Sequence, residues 1–376
     1  MADPTLLLFP EDVIYKILSR LPIKSLARFR CVCKLWLKYI DSLYLRTIHV
    51  KEEPTPIMFQ RFPSNVPHKM RISFLRGVKM DPVLDLCYKT NSYYYNIQFI
   101  GSCNGLILLR FKQENPYDAR TYRFVVIDPL TKGRHCLPPV SVKIRSDSDG
   151  PCRAAGIGFE DSTNTFKTVF SFLRKRKMVC TLVHSSGMRS WRKIAQNPAY
   201  PIIGGGVFSD GRLHWLTCDS GDEYVYFRKI VWFDVKTEEF GLPMDPPEGW
   251  HPKGPHNGFV IHLVDLNGEV GYAYIGPISI KLWILKHEEW VLHCSFDLGR
   301  ILPEYSVYDV QVWGCWNKDG DILLTCDGRE GLFVYTLKSG DLQQVELCDP
   351  EDGFPYIVMY QSSFLSVNTS AYYYSS

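Results

Sequence analysis

Residues 8–36 read LFPEDVIYKILSRLPIKSLARFRCVCKLW, and their hydrophobic period differs from that of the rest of the chain. The apolar side chains recur at the spacing of one face of an α-helix, at Val13, Ile14, Ile17, Leu18 and Leu21. Pro10, followed by Glu11 and Asp12, is typical of a helix start, because proline is tolerated in the first turn and acidic side chains suit the helix dipole. Pro22 ends this helix and can open the next. The sequence therefore predicts a helical N-terminal region.

Two further short helices are predicted after Pro22. The second carries Leu26 and Phe29, and the third carries Cys33, Trp36, Leu37 and Ile40. Three short helices within about 40 residues bury too little apolar surface to be stable alone. We therefore expect them to cap the rest of the chain or to bind another polypeptide. A helix-turn-helix that reads DNA is disfavoured, because apolar side chains surround Lys34 and Lys38 in the third helix.

After residues 51–56 the hydrophobic period changes to 2, which is typical of β-strands. Asn-Gly and Asp-Gly pairs lie between apolar runs at 104–105, 210–211, 267–268 and 319–320. Such pairs supply the positive φ angles of tight hairpins. A weak repeat of a short strand followed by a turn, aligned on residues 128, 185, 234, 284 and 336, recurs every 49 to 57 residues. Kelch-type propeller blades have a similar period.

The predicted fold class is α+β by segregation. A small three-helix domain at residues 1–48 precedes a large antiparallel all-β, propeller-like domain at residues 49–376. The number of blades stays open, because residues 57–100 and 343–376 give no clear repeat.

Composition narrows the class of function. The 376 residues include 43 basic and 40 acidic side chains, and a net charge of +3 is too balanced to indicate nucleic-acid binding. We expect no signal peptide, since the N-terminus lacks a basic region, and no apolar run approaches the roughly 20 residues of a membrane span. The twelve cysteines contain no CxxC pair, so we expect reduced thiols rather than a zinc site. The expected location is the cytoplasm, the nucleus or both.

Residues 8–42 resemble an F-box, and the downstream region looks like the F-box-associated domain common in plants. The second resemblance rests on GSCNGL at 101–106, GIGF at 156–159, SWR at 190–192, DGRLHWL at 210–216, and Phe233-Asp234 with Glu238-Glu239-Phe240. The F-box resemblance implies binding to a Skp1-like adaptor and, through it, to a cullin. The family's adaptor-facing positions correspond here to Leu8, Pro10, Ile14, Leu21, Pro22, Leu26, Val32, Cys33 and Trp36.

The resemblance implies a substrate-recognition subunit of an SCF-type (Skp1–cullin–F-box) E3 ubiquitin ligase that recruits a target protein. Such an adaptor has no catalytic residues and needs no cofactor or metal. An alternative is an F-box protein that acts outside the ligase, with a β domain that binds a glycan or a small ligand. A propeller enzyme would need a metal cluster or paired carboxylates in a cleft, and no residue spacing indicates either.

Target-binding residues are expected in loops, which carry recognition on rigid scaffolds. The aromatic candidates are Tyr224, Tyr226 and Trp250, the last of them within the turn-rich passage Pro243–Pro255. Residues 174–177, Arg-Lys-Arg-Lys, are interpreted either as a hairpin turn or as a nuclear localisation signal.

Other conspicuous side chains are given structural roles. His214 and His262 alternate with core residues, so we expect them to point away from the core. The pairs Glu238-Glu239 and Glu288-Glu289 are expected in solvated turns, and Gly204-Gly205-Gly206 is expected to form a backbone bend rather than a phosphate site. Core packing is predicted for Trp191, Phe240 and Trp290.

Overall fold

The computed structural model describes residues 9–49, 54–62, 68–76, 79–88, 96–113, 119–143, 153–174, 178–218, 229–247, 259–297, 310–326, 331–345 and 356–363. The helical region comprises α1 (Glu11–Leu18), α2 (Ile23–Phe29), α3 (Lys34–Ile40) and α4 (Leu43–Ile48). Pro10 and Pro22 occupy the N-caps of α1 and α2, as their positions in the sequence indicate. The three predicted helices are confirmed. Ser42 caps the N-terminus of the fourth, because its hydroxyl accepts a hydrogen bond of 3.1 Å from the Leu45 amide.

The four helices share a small core of their own. Its fully buried members are Leu18, Ile23, Leu26, Tyr39, Ile40 and Leu45. Polar bonds fix the helices around it: Arg30 Nε and Nη2 donate to the Asp41 carboxylate at 2.8 and 3.0 Å, and the Tyr39 hydroxyl donates to Glu11 at 3.0 Å. None of the helices in the described part of the chain has the length and apolar character of a membrane-spanning helix.

The rest of the chain is built of short antiparallel sheets. One sheet contains β1 (Thr55–Phe62), β2 (His68–Arg76), β3 (Lys79–Tyr88) and β25 (Tyr356–Tyr360). The next contains β4 (Asn96–Cys103), β5 (Leu106–Gln113), β6 (Ala119–Asp128) and β7 (Gly133–Cys136), with β8 (Val140–Lys143) also paired to β6. A third sheet contains β17 (Val260–Leu266), β18 (Glu269–Ile275), β19 (Ser279–Lys286) and β20 (Glu289–Asp297). A fourth contains β21 (Val310–Cys315), β22 (Ile322–Cys326), β23 (Gly331–Thr336) and β24 (Asp341–Val345).

An eight-stranded sheet contains β9 (Arg153–Glu160), β10 (Thr165–Arg174), β11 (Met178–Ser185), β12 (Arg192–Lys193), β13 (Ile202–Ser209), β14 (Arg212–Thr217), β15 (Ile230–Asp234) and β16 (Glu239–Phe240). Its two four-stranded halves meet where β9 and β13 run parallel, with Gly204 opposite Ala154 and Gly205 opposite Ala155. We treat the halves as two blades. The described strands then form six blades: I (β4–β7), II (β9–β12), III (β13–β16), IV (β17–β20), V (β21–β24) and VI (β25 with β1–β3).

Blade VI closes the propeller with strands from both ends of the β domain. β25 occupies the innermost position, next to β1, and it also contacts β21 of blade V. The first strands of neighbouring blades contact one another around a central channel, for example β17 with β21. Because blade VI is split between residues 55–88 and 356–360, no contiguous repeat marks it in the sequence. This split explains why the number of blades could not be predicted.

The repeat predicted from sequence corresponds to the third strand of blades I to V. Residues 128, 185, 234 and 336 end β6, β11, β15 and β23, and residue 284 lies in β19. Three of the predicted hairpins have two positive φ angles, at Asn104-Gly105 (44° and 82°), Asp210-Gly211 (47° and 72°) and Asn267-Gly268 (58° and 90°). The fourth differs: Gly320, with a φ of 88°, closes a longer turn by donating its amide hydrogen to Asn317 O at 3.3 Å.

The triple glycine lies where three inner strands crowd together. The pairing of β13 with β14 shifts register between Ile203 and Val207, which confirms the predicted backbone bend. A Cβ atom on Gly205 would lie 2.0 Å from the carbonyl oxygen of Ile100 in β4. Glycine is therefore required here because β4 passes directly over β13.

The propeller also corrects two expectations about single side chains. His214 is only 4% exposed, and His262 is half-buried with its Nε2 donating to Val312 O at 2.9 Å. Alternation along the strand did not predict the burial of these side chains, because neighbouring blades cover both faces of each sheet. His214 therefore lies in the core instead of pointing away from it. Glu239, Glu288 and Glu289 are exposed as expected. Glu238 is not, since its side chain is 15% exposed and paired with Lys167 at 2.9 Å and with Arg192.

Core packing is confirmed for the three predicted aromatic residues. Phe240 is buried, while Trp191 and Trp290 pack against buried clusters at the edges of their blades. The expectation of reduced thiols holds for eight cysteines of the described chain but not for Cys218, which is disulfide-bonded. Linear spacing gave no sign of this bond, because cysteine positions along the chain do not reveal which strand ends the propeller brings together.

Candidate functional site

The helical region exposes apolar side chains that its own core does not use. Ile17 is 49% exposed and Val32 is 64% exposed, and Phe9, Leu37 and Tyr44 are also exposed. These residues come from the segment before α1, from α1 itself, from the α2–α3 turn, and from α3 and α4. Large apolar side chains left in water on a small module are typical of a protein-binding surface. We call Phe9, Ile17, Val32, Leu37 and Tyr44 the helical docking surface.

The predicted adaptor-facing residues fall into three groups. Pro10, Pro22 and Val32 are exposed, and Ile14, Leu21, Cys33 and Trp36 are half-buried. Leu26 is fully buried, so its side chain supports the helical core from within. Leu8 lies outside the described residues. Ile17 and Leu37 were recognised as apolar helix positions but not as surface residues, because a periodic pattern does not distinguish the inner side of a short helix from a second apolar side.

Trp36 is held in place by its neighbours. Its ring meets Phe29 edge to face, with 5.1 Å between the ring centroids. The amide of Trp36 donates to the sulfur of Cys33 at 3.5 Å, which begins α3 at this point. The half-exposed indole is therefore presented from a fixed helix end.

One face of the propeller carries the turn between the first and second strands of blades I to V. Hydrogen bonds join these turns from blade to blade: Ser209 Oγ donates to Gly268 O at 2.8 Å, and Asn267 Nδ2 donates to Asn317 O at 3.2 Å. At the closure, the Tyr360 hydroxyl donates to Gly105 O at 3.1 Å. We call this the turn face. The β6–β7 turn lies there too, and its Leu130 packs against the helical core, so the helices adjoin the turn face of blade I.

The inner strands begin at the opposite face, which we call the strand-start face. A central cavity of about 310 Å³ lies between the innermost strands. Gln98, His262 and Gln311 contribute polar side chains to its lining, and Trp313 and Met359 contribute apolar surface. Burial lowers the pKa of His262, which favours the neutral imidazole.

The predicted target-binding aromatics Tyr224, Tyr226 and Trp250 lie outside the described residues, as do residues 175–177 of the basic segment. The strands that flank this segment pair as a hairpin, with Arg174 opposite Met178. In the described part of the chain, no group of three or more His, Cys, Asp or Glu side chains is arranged to hold a metal ion.

Two family profiles match the chain. The F-box domain matches residues 6–47, and the F-box associated beta propeller domain matches residues 66–368. The F-box protein At1g52495 of Arabidopsis thaliana is 25% identical over 358 residues, covering 90% of this chain and 80% of its own. The F-box/kelch-repeat protein At3g23880 of the same plant is 24% identical over 357 residues, covering 88% of each chain.

Among solved structures, a chain of a nidogen/laminin complex matches with a TM-score of 0.41 at 11% identity, covering 82% of this chain and 99% of that one. This likeness is too low to support an argument about either fold or function. The two family matches, in contrast, coincide with the helical region and with the propeller. The chain therefore belongs to the F-box proteins that carry an F-box associated beta propeller domain.

Proposed function

We propose that this protein is the substrate-recognition subunit of an SCF-type ubiquitin ligase. The F-box is the Skp1-binding module of such complexes, and proteins of this family are adaptors rather than enzymes. The observation that carries the proposal is the helical docking surface. The helical core contacts the propeller through Leu130, while Ile17, Val32 and Leu37 stay exposed to a partner.

The proposed partner surface has the character of a helix-based protein contact. Apolar residues on short helices with one fixed aromatic side chain, here Trp36, suit docking against helices of a Skp1-like protein. The Skp1-like protein would in turn link the chain to a cullin. Cytoplasm and nucleus are the proposed locations.

We further propose that the propeller presents a protein target at its strand-start face. The helices adjoin the turn face of blade I through Leu130, so the opposite face is free of that contact. Ubiquitin transfer would then be promoted by proximity, because the target is tethered near a conjugating enzyme that other subunits carry. No side chain of this protein has to perform covalent chemistry in this scheme.

The proposal is tested in cells with an Ile17→Asp, Val32→Asp, Leu37→Asp variant. Proteins that co-purify with both the variant and the wild type are candidate targets, because the propeller is unchanged. These candidates should be degraded more slowly when the variant replaces the wild type. Leu242→Asp is the matched control, since Leu242 is 85% exposed on the propeller. Equal turnover with the wild type and the variant would contradict the proposed function.

The central cavity favours a second candidate function, a small-ligand or glycan receptor that keeps its F-box but acts outside the ligase. The cavity volume of about 310 Å³ is sufficient for a small molecule. Thermal unfolding in the presence of a glycan panel separates the two functions. A rise in the midpoint of thermal unfolding with a glycan, together with equal turnover of the candidate targets in the presence of the wild type and the variant, would favour the receptor function.

A further inference from the structure

The β6–β7 turn of blade I reaches into the helical region. Asp128, the last residue of β6, pairs with Gly133, the first residue of β7, so residues 129–132 form the turn. Within this turn, Leu130 packs against the buried core of the four helices. The propeller therefore supplies an apolar side chain to the core of the other domain.

The turn that carries Leu130 is held in shape by its own hydrogen bonds. The Asp128 carboxylate accepts from the amides of Leu130 at 2.9 Å and Thr131 at 3.3 Å, and also from the Thr131 hydroxyl at 2.8 Å. Asp128 is only 3% exposed, and the ring of the buried Pro129 restricts its φ angle. Aspartate bonded to the backbone two residues later is a common way to order a turn. Leu130 is therefore presented from a rigid support.

Blades III and V build the same turn with lysine in place of this leucine. Their third strands end in turns of the same length, at residues 235–238 and 337–340. The last residue of the turn has a positive φ in all three blades, of 61°, 61° and 74°. The second residue is Lys236 in blade III and Lys338 in blade V, and both are exposed. Because this turn accommodates a solvated lysine, its own geometry does not require the leucine of blade I, whereas the contact with the helices does.

The chain itself attaches the helices to the propeller at a second point. α4 ends at Ile48, and β1 of blade VI begins at Thr55. Thr55 pairs with Tyr360, whose hydroxyl contacts Gly105 of blade I, so β1 begins at the turn face. The covalent connection and the Leu130 contact therefore lie on one face of the propeller, at neighbouring blades. One attachment point would let the helical region pivot, whereas two restrict its orientation.

We propose that Leu130 is a positioning residue that holds the helical region at one orientation on blade I. Leu130 is not part of the helical docking surface, so it acts through the helices rather than on a partner. The use of a fixed orientation rests on the proposed function. A target at the strand-start face stays at a constant distance from the conjugating enzyme only if the helices do not pivot on the propeller.

The test is single-molecule fluorescence energy transfer in the purified full chain, with dyes attached through azide-bearing amino acids at the exposed positions Lys16 and Lys338. The transfer efficiency of the otherwise unchanged chain should have one narrow distribution. Leu130→Lys should broaden this distribution, because a charged side chain opposes burial against the helical core. The propeller should stay folded, since blades III and V carry lysine at this turn position. The reciprocal control Lys236→Leu should leave the distribution unchanged.

Leu130→Lys should bind a Skp1-like protein within about twofold of the wild-type affinity, because the substitution lies outside the helical docking surface. If circular dichroism shows that Leu130→Lys loses its helices, Leu130→Ala takes its place, since it removes most of the contact without adding a charge, and it should also broaden the distribution. An unchanged distribution in the folded Leu130 variant would overturn the positioning role. A wild type that binds no Skp1-like protein would contradict the proposed function instead, and the fluorescence measurement on the free chain does not depend on that binding.

Discussion

The hydroxyl group of Tyr360 donates a hydrogen bond of 3.1 Å to the backbone carbonyl oxygen of Gly105, which lies 255 residues earlier in the chain. Both groups are buried where the innermost strand of blade VI reaches the first hairpin of blade I. This contact joins the end of the described propeller to its first complete blade. Closure of the ring therefore depends on a specific polar contact as well as on strand pairing.

Tyr360→Phe tests this closure. The change removes the donor and leaves the Gly105 carbonyl oxygen buried without it, so the free energy of unfolding should fall by about 1 to 3 kcal/mol. Urea denaturation measures the loss. Tyr200→Phe makes the same chemical change at an exposed tyrosine and should have little effect. Equal stability of the two variants would show that the contact does not contribute to closure.

Gly205→Ala tests the close approach of β4 and β13. The added Cβ would lie 2.0 Å from the carbonyl oxygen of Ile100, and the backbone must move to admit it. We expect a loss of about 3 kcal/mol in unfolding free energy. Gly204→Ala is the control: its φ of 80° imposes a strain of about 1 to 2 kcal/mol, but nothing lies within 4 Å of the new atom. A loss of unfolding free energy for Gly205→Ala that is equal to or smaller than that for Gly204→Ala would contradict the close approach of β4 and β13.

Lys167→Met tests the buried ion cluster between blades II and III. Without Lys167, the carboxylates of Glu160 and Glu238 lose a shared cation, and the free energy of unfolding at pH 7 should fall by about 3 kcal/mol. Lys236→Met removes an exposed lysine nearby and should change the free energy of unfolding little. Equal urea midpoints for the two variants would refute a stabilising role for the cluster.

The same cluster predicts a pH dependence. Burial alone would raise the pKa of Glu238, but hydrogen bonds from Arg192 and Lys167 outweigh it and hold that pKa below 4.5. Burial alone would also raise the pKa of Glu160, but Lys167 and nearby hydroxyl groups outweigh the effect of burial and lower this pKa. Both glutamates therefore have lower pKa values in the folded protein than in the unfolded chain. The stabilisation by the ion cluster is present above about pH 4.5 and disappears as the pH falls through the pKa values of the folded protein. The difference between the wild type and Lys167→Met should therefore shrink in acid, whereas a constant difference would exclude this linkage.

His214 predicts a second pH dependence, at higher pH. Burial lowers its pKa to about 4 from 6.5, so the unfolded chain binds a proton that the folded chain does not bind between these values. Stability should fall as pH decreases from 6.5 to 4, by about 1.4 kcal/mol per pH unit. His214→Gln should flatten the profile of unfolding free energy against pH, and His287→Gln, at an exposed position, should not. Identical profiles for the two variants would rule out His214 as the cause.

Local signals in the sequence were sufficient for much of the architecture. Proline positions and apolar spacing predicted α1 to α3, and Asn-Gly and Asp-Gly pairs predicted three hairpins, because these features act within a few residues. Blade VI could not be predicted from the sequence, because its strands come from opposite ends of the β domain. His214 and Glu238 were misjudged for a related reason: their surroundings come from neighbouring blades and turns.

The candidate site was predictable in kind but not in detail. Family positions such as Pro10 and Trp36 pointed to the helical region, whereas the exposure of Ile17 and Leu37 and the burial of Leu26 depend on how the four helices pack.

The most direct test of the central claim is the dissociation constant of the purified protein for a Skp1-like protein, measured by calorimetry. Val32→Asp combined with Leu37→Asp should weaken binding at least about tenfold, because a charge on each exposed position opposes burial in an apolar interface. The Leu242→Asp control should bind as the wild type does. Unchanged affinity of the double variant, or no binding by the wild type, would contradict the account.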